Sequence, residues 1–122
     1  MAKHLRTGEW GEQLAARFLE DKGLRILERN WRFSRAEIDL IAEEGEVLVF
    51  VEVKTRTSDY FGPPERFVSA RKRQLLADAA AVYCEKRDHS GEVRFDVVAI
   101  LLKAGRAPEL RHLPDAFFPG LP

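Results

Sequence analysis

EIDLIAEEGEVLVFVEVKTR, residues 37–56, decides how the rest of the chain is read. From Val47 to Val53 every position except Glu52 is apolar, the pattern of a strand buried on both faces. EEGE at 43–46 predicts a tight turn, so AEIDLIAE and EVLVFVEVKT pair as a hairpin. Three charges disturb this apolar hairpin: Asp39 near the start of its first strand, and Glu52 and Lys54 near the end of its second. An isolated carboxylate in a core costs on the order of several kcal/mol. These charges therefore either neutralise one another or hold something.

Outward from the hairpin, helical and extended periods alternate. TGEWGEQLAARFLEDKG predicts a helix with Thr7 as its N-cap and Gly23 at its end. Trp10, Leu14 and Phe18 recur at i, i+4 and i+8, widened by Ala15 and Leu19 into a core-facing stripe. A short strand, LRILERN, leads to the hairpin. TSDYFGPPERF then forms a loop, since Gly62, Pro63 and Pro64 bar regular structure. SARKRQLLADAAAVYCEKR is a second helix capped by Ser69, and VRFDVVAILL a long strand apolar on both faces. ELRHL reads as a short strand before an irregular, Pro-bearing tail. The order α-β-β-β-α-β predicts an α/β fold, a mixed central sheet with helices on both faces.

The chain of 122 residues is read as one domain, 1–122, with the irregular tail from about residue 103. Its formal net charge of zero does not advertise a nucleic-acid partner, although Arg29, Arg32 and Arg35 cluster, as do Arg71, Lys72 and Arg73. No stretch approaches the length of a membrane span, and MAKHLRTGEW has no apolar signal core, so a cytoplasmic protein is expected. Cys84, the only cysteine, sits in a helical run and is expected to be structural. His4, His89 and His112 show no ligand spacing, which argues against zinc.

Residues i and i+2 of a strand share a face, so Glu52 and Lys54 stand about 6 to 7 Å apart on one side. The same rule places Glu37 and Asp39 together on the neighbouring strand, and the hairpin brings Asp39 to the end of the third. Two carboxylates so placed repel unless a cation separates them. Oxygen ligands of this kind suit Mg²⁺ or Mn²⁺, with the backbone carbonyl of Val53 as a further ligand and the other positions left to water and phosphate. A lysine beside such a metal orients water or offsets charge on a phosphoryl oxygen. Asp39, Glu52 and Lys54 thus match metal-assisted phosphodiester hydrolysis. The competing reading is an ion cluster in which Lys54 bridges the two acids.

The spacing of Asp39 and Glu52-Val53-Lys54 resembles the PD-(D/E)XK nuclease superfamily. More closely, GEWGEQLAARFLEDKG, RNWRFSRAEIDLIA, LVFVEVKTR and RKRQLLADAAAVY together resemble the YraN-like family of uncharacterised bacterial proteins, over most of residues 8–102. That resemblance implies a restriction-endonuclease-like fold related to Holliday-junction resolvases, which use Mg²⁺ and cut branched DNA. By position, Asp39 and Glu52 match the metal carboxylates, Lys54 the catalytic lysine, and Glu12 a first-helix glutamate that joins the site. The family pattern has glycine where this chain has Ala36.

Around this centre, Arg56, Lys72 and Arg35 are candidate nucleic-acid contacts, and Glu37 is expected to steady a basic neighbour. Trp31 and Phe33, interleaved with arginines, are expected beneath the sheet rather than stacked on bases. Asp96 is expected to pair with an arginine or a loop amide. The loop leaving the third strand is read as a flap, and the tail as cover for a sheet edge or a homodimer contact. The sequence therefore predicts a metal-dependent nuclease acting on DNA. Its alternative is a non-catalytic module that retains the fold and binds nucleic acid or protein.

Overall fold

A single sheet divides the core into two layers. The structure, a computed structural model, describes residues 7–57 and 68–117. Helix α1 (Thr7–Asp21) is followed by β1 (Arg25–Phe33), β2 (Ala36–Glu44), β3 (Val47–Arg56), α2 (Ala70–Lys86), β4 (Val93–Leu101) and β5 (Glu109–Leu113). This is the α-β-β-β-α-β order of a restriction-endonuclease-like core with one strand added. The strands lie in the order β1-β2-β3-β4-β5. Only β3 and β4 run parallel, because α2 carries the chain back between them.

Strands β3 and β4 are apolar on both sides because both sides are covered. On one face Ala15, Ala16 and Leu19 of α1 pack with Leu40, Val49, Val51, Val98 and Ile100. On the other, Leu76, Ala79, Ala80 and Tyr83 of α2 pack with Ile38, Phe50, Phe95 and Val97. The hairpin register pairs Glu44 with Val47, leaving Gly45 and Glu46 as the turn. Gly45 has φ +61°, a conformation that costs glycine nothing. Ser69 caps α2 by accepting from the Lys72 N–H at 3.2 Å. Thr7 is the first helical residue of α1, and the residues before it lie outside those described.

Three expectations need correction. Strand β1 runs on through Asn30 to Phe33, beyond the LRILERN segment. Trp31 is partly buried and packs against the core, edge-on to Tyr83 at 5.1 Å between ring centres, but Phe33 is 38% exposed at the last position of an edge strand. The third correction bears on the site: Glu37 and Asp39 do not share a face by simple alternation. Pairing steps from Arg29–Leu40 to Trp31–Ile38, passing Asn30 and Asp39. Ile38 and Leu40, two residues apart, lie in opposite core layers. Asn30 has φ +51°, a left-handed conformation that its short amide side chain tolerates. Both strands flip there, and Asp39 sits at the flip.

Helix α1 lies close against the sheet at Gly11. A Cβ at that position would stand 2.7 Å from Thr55 Oγ1 and 3.3 Å from Ile100 Cδ1. Gly11→Ala is therefore expected to push α1 outward and destabilise the fold by about 1–3 kcal/mol, measurable by urea unfolding. An unchanged midpoint would show that Thr55 can rotate away without cost. The flap from Ser58 onward, His4 and the tail beyond Phe117 lie outside the described residues.

Candidate functional site

The flip at Asp39 coincides with the end of the β2–β3 ladder, whose last pair is Leu40–Val51. Beyond it the Val53 N–H donates to Asp39 Oδ2 at 2.8 Å, so the side chain takes the place of a ladder acceptor. Glu52, on the α2 side with Val97 as its ladder neighbour, is 3% exposed. Lys54 Nζ lies 3.2 Å from Glu52 Oε2, and Lys72 Nζ of α2 contacts the same oxygen. Glu52 Oε1 is buried and has no hydrogen-bond partner among the described residues. One oxygen of a buried carboxylate is thus doubly held while the other is left unsatisfied, which is costly unless something takes it.

Electrostatics mark the same spot. The Asp39 carboxyl is pushed from 3.8 up to about 8, first by burial and second by the Glu52 charge, against the opposing Val53 N–H. Glu12 adds to that rise, and Lys72 opposes it. The Lys72 ammonium is lowered by burial, but its bond to Glu52 and the nearby Glu52, Asp39 and Glu37 charges leave it above the ordinary lysine value. Lys72 therefore stays protonated at neutral pH.

Of the remaining sequence candidates, Glu12, Glu37 and Arg35 line two open pockets flanking the split where β2 and β3 part, and Arg56 lines neither. On the α1 side, Glu12 accepts from Asn30 Nδ2 at 2.7 Å and faces a pocket shared with Arg29, Asn30, Arg32 and Glu37. Glu37 pairs with Arg32 at 3.2 Å. On the α2 side, Arg35, Asp39, Arg71 and Lys72 line a second pocket. Arg56 ends β3, and its guanidinium donates to the Thr55 carbonyl at 2.9 Å. Asn30 was not singled out from sequence, although an asparagine inside a strand-forming run is a signal for a left-handed residue. Among the described residues no three His, Cys, Asp or Glu side chains form a metal cage, so the acidic set at the split is the pair Asp39 and Glu52 with Glu12 nearby.

Two other chemistry-bearing residues are placed elsewhere. Asp96, fully buried on β4, accepts from Arg94 Nε and Nη2, both at 2.9 Å, from the Asp115 N–H at 2.9 Å and from His112 Nε2 at 2.7 Å. Every lone pair has a use, as a structural carboxylate requires. Burial raises the Cys84 thiol above its usual value, so it is not a thiolate nucleophile at neutral pH. Among the described residues no helix is long and apolar enough to cross a membrane.

Comparison with known proteins covers nearly the whole chain. The family model described as Uncharacterised protein family UPF0102 matches residues 11–100. A UPF0102 protein of Flavobacterium psychrophilum is 46% identical over 118 residues, spanning 97% of this chain and 98% of its own length. One from Rhodococcus opacus is 46% identical over 96% of this chain and all of its own length. Another, from Syntrophus aciditrophicus, is 48% identical over 96% of this chain and 92% of its own.

Proposed function

This chain belongs to the UPF0102 family of uncharacterised, YraN-like proteins, and we propose that it is a metal-dependent nuclease hydrolysing phosphodiester bonds in DNA, preferentially branched or damaged DNA, in the cytoplasm. The observation that carries this reading is the unsatisfied Oε1 of buried Glu52 beside the Asp39 carboxyl. Both features are expensive in a bare protein and are resolved together by one cation. The donor set fits Mg²⁺ or Mn²⁺: two carboxylates, a strand carbonyl at Val53, and open pockets for water and phosphate.

Asp39, Glu52 and the Val53 carbonyl would hold the ion. Bound there, it supplies Lewis acidity toward a phosphoryl oxygen and lowers the pKa of bound water. Lys54, tethered two residues from Glu52 on the same strand, orients the attacking water and offsets charge developing on the phosphoryl group. Glu12 assists from the α1 side, fixed by Asn30. Arg35, Arg56 and Lys72 contact flanking phosphates and position the strand without reading its sequence. A homodimer would place two such sites for symmetric incision of a four-way junction.

The test is a panel of labelled single-stranded, duplex, flap and four-way junction DNA, incubated with Mg²⁺ or Mn²⁺ and with chelator as control. Metal-dependent cutting supports the enzyme and reports its preferred structure. Gel shifts without cutting would favour a non-catalytic nucleic-acid-binding module. The double lysine contact on Glu52 favours a further reading, a plain ion cluster, which predicts no metal affinity.

Metal binding should also depend on pH with a definite sign. Asp39 holds a proton below about 8 in the folded chain and must lose it to bind a cation. Mn²⁺ affinity is expected to rise about tenfold per pH unit between roughly 6 and 8 and to level off above, in calorimetric titrations at several pH values. Without metal the stability sign is that of a raised carboxyl. The Asp39 contribution is complete below 3.8 and is lost as pH climbs through about 8.

A further inference from the structure

We propose that Lys72 is a tethered cation that holds Glu52 in the resting protein and transfers to a substrate phosphate when a divalent metal takes the carboxylate. The inference rests on the metal-site reading above and adds to it an order of events: metal and phosphate enter together.

The two lysines on Glu52 are not equivalent. Lys54 is two residues along the same strand, and its side chain is 15% exposed. Lys72 reaches in from α2, and its side chain is 40% exposed. Lys72 lines the pocket shared with Arg35, Arg71 and Asp39, and its flexible four-carbon stem lets the ammonium exchange Glu52 for a ligand in that pocket. Lys54 is not among the residues that line that pocket.

The helix itself does not favour a lysine there. With Ser69 as N-cap, Lys72 is the third helical residue, where Glu or Gln would complete a capping box. A positive charge at a helix N-terminus opposes the macrodipole. The first turn of α2 carries no acidic residue, and Arg71, Lys72 and Arg73 follow one another in it. A bound phosphate would relieve that local conflict. Contact with Glu52 relieves it only for Lys72, and the other oxygen of Glu52 stays unsatisfied beside it.

Charge balance sets the coupling. With Lys54 and Lys72 both on Glu52, an added divalent cation would make the cluster strongly positive and meet direct repulsion from Lys72. Departure of Lys72 removes the repulsion, and a phosphate gives the departing ammonium a partner. By linkage, whatever phosphate does for metal affinity the metal does equally for phosphate affinity.

The experiment is a Mn²⁺ titration of the full chain by calorimetry, comparing wild type, Lys72→Met, Lys72→Arg and Asp39→Asn. Thermal melts establish that each is folded, and Lys72→Gln stands in if the Met variant is not. Lys72→Met is expected to bind Mn²⁺ about tenfold more tightly than wild type, the scale of one charged hydrogen bond no longer in competition. Lys72→Arg should stay near wild type, and Asp39→Asn should lose binding. A lysine that merely braced the site would give the opposite result, since its loss would loosen the carboxylates and weaken Mn²⁺ binding. Equal or weaker binding by Lys72→Met, with wild type still binding and Asp39→Asn not, overturns the tethered cation and leaves the metal site standing. No Mn²⁺ binding by any variant overturns both.

Discussion

Lys54→Ala is expected to reduce metal-dependent DNA cleavage by about 100-fold or more while leaving DNA binding within a few-fold of wild type. The side chain is 15% exposed and anchored 3.2 Å from Glu52, so its position is set by the protein before substrate arrives. Preorganised charge of this kind acts on the transition state more than on the ground state, and its removal appears in turnover rather than in affinity. The same preparation controls for contaminating nuclease, since a contaminant would survive the substitution. Lys54→Arg should not rescue: a planar guanidinium beside Glu52 tends to form a bidentate pair, which would draw the charge away from the water. Retained cleavage in Lys54→Ala would remove Lys54 from the chemistry and turn attention to Lys72, the other ammonium on Glu52. Loss of binding along with cleavage would instead make Lys54 a phosphate contact.

The hairpin and the order of elements were legible because they rest on periods. An apolar run between turn residues reads as a buried strand, and the stripe from Trp10 through Phe18 reads as a helix face. The site was legible only as a set of residue types. Alternation alone would carry Glu37 and Asp39 on one strand face; the left-handed Asn30 instead flips β1 and β2 together, a conformational choice that no period records, and the two acids meet along one open pocket. The partner of Lys72 was equally hidden. Helical spacing placed it at the edge of the core stripe, but a four-carbon stem can reach inward or outward from there. The cluster on Asp96 depends on the β4–β5 register, which sets Val98 against His112 across a turn whose length does not declare it. Sequence therefore foresaw a paired Asp96 and named neither His112 nor Arg94.

Asp96→Ala is expected to destabilise the protein by about 3–5 kcal/mol, because one buried acceptor serves four donor groups at once. Its loss leaves the Asp115 N–H and His112 Nε2 without that partner, and Arg94 keeps Glu44 at 2.8 Å. For a domain of this size the melting temperature should fall by roughly 10–25 °C. Asp96→Asn, which keeps the shape and one carbonyl acceptor, should cost less. Acid sharpens the distinction. Burial works to raise the Asp96 carboxyl, but the bonds from His112, Arg94 and the Asp115 N–H hold it below the usual carboxylate value. Such a group contributes stability above its unfolded value and loses it as pH falls through the folded one, so wild type should weaken below about pH 4 and Asp96→Asn should lack that slope. Asp96 and Glu52 occupy adjacent rows of the same parallel ladder, opposite Val51 and Val97. The first has both oxygens bonded and the second leaves one bare. If that difference separates structure from function, Asp96→Ala will lower the melting point and leave Mn²⁺ affinity of the folded protein intact, whereas Glu52→Gln will abolish Mn²⁺ binding at a smaller cost in stability. Equal stability losses with no metal binding in wild type would make both carboxylates parts of the scaffold.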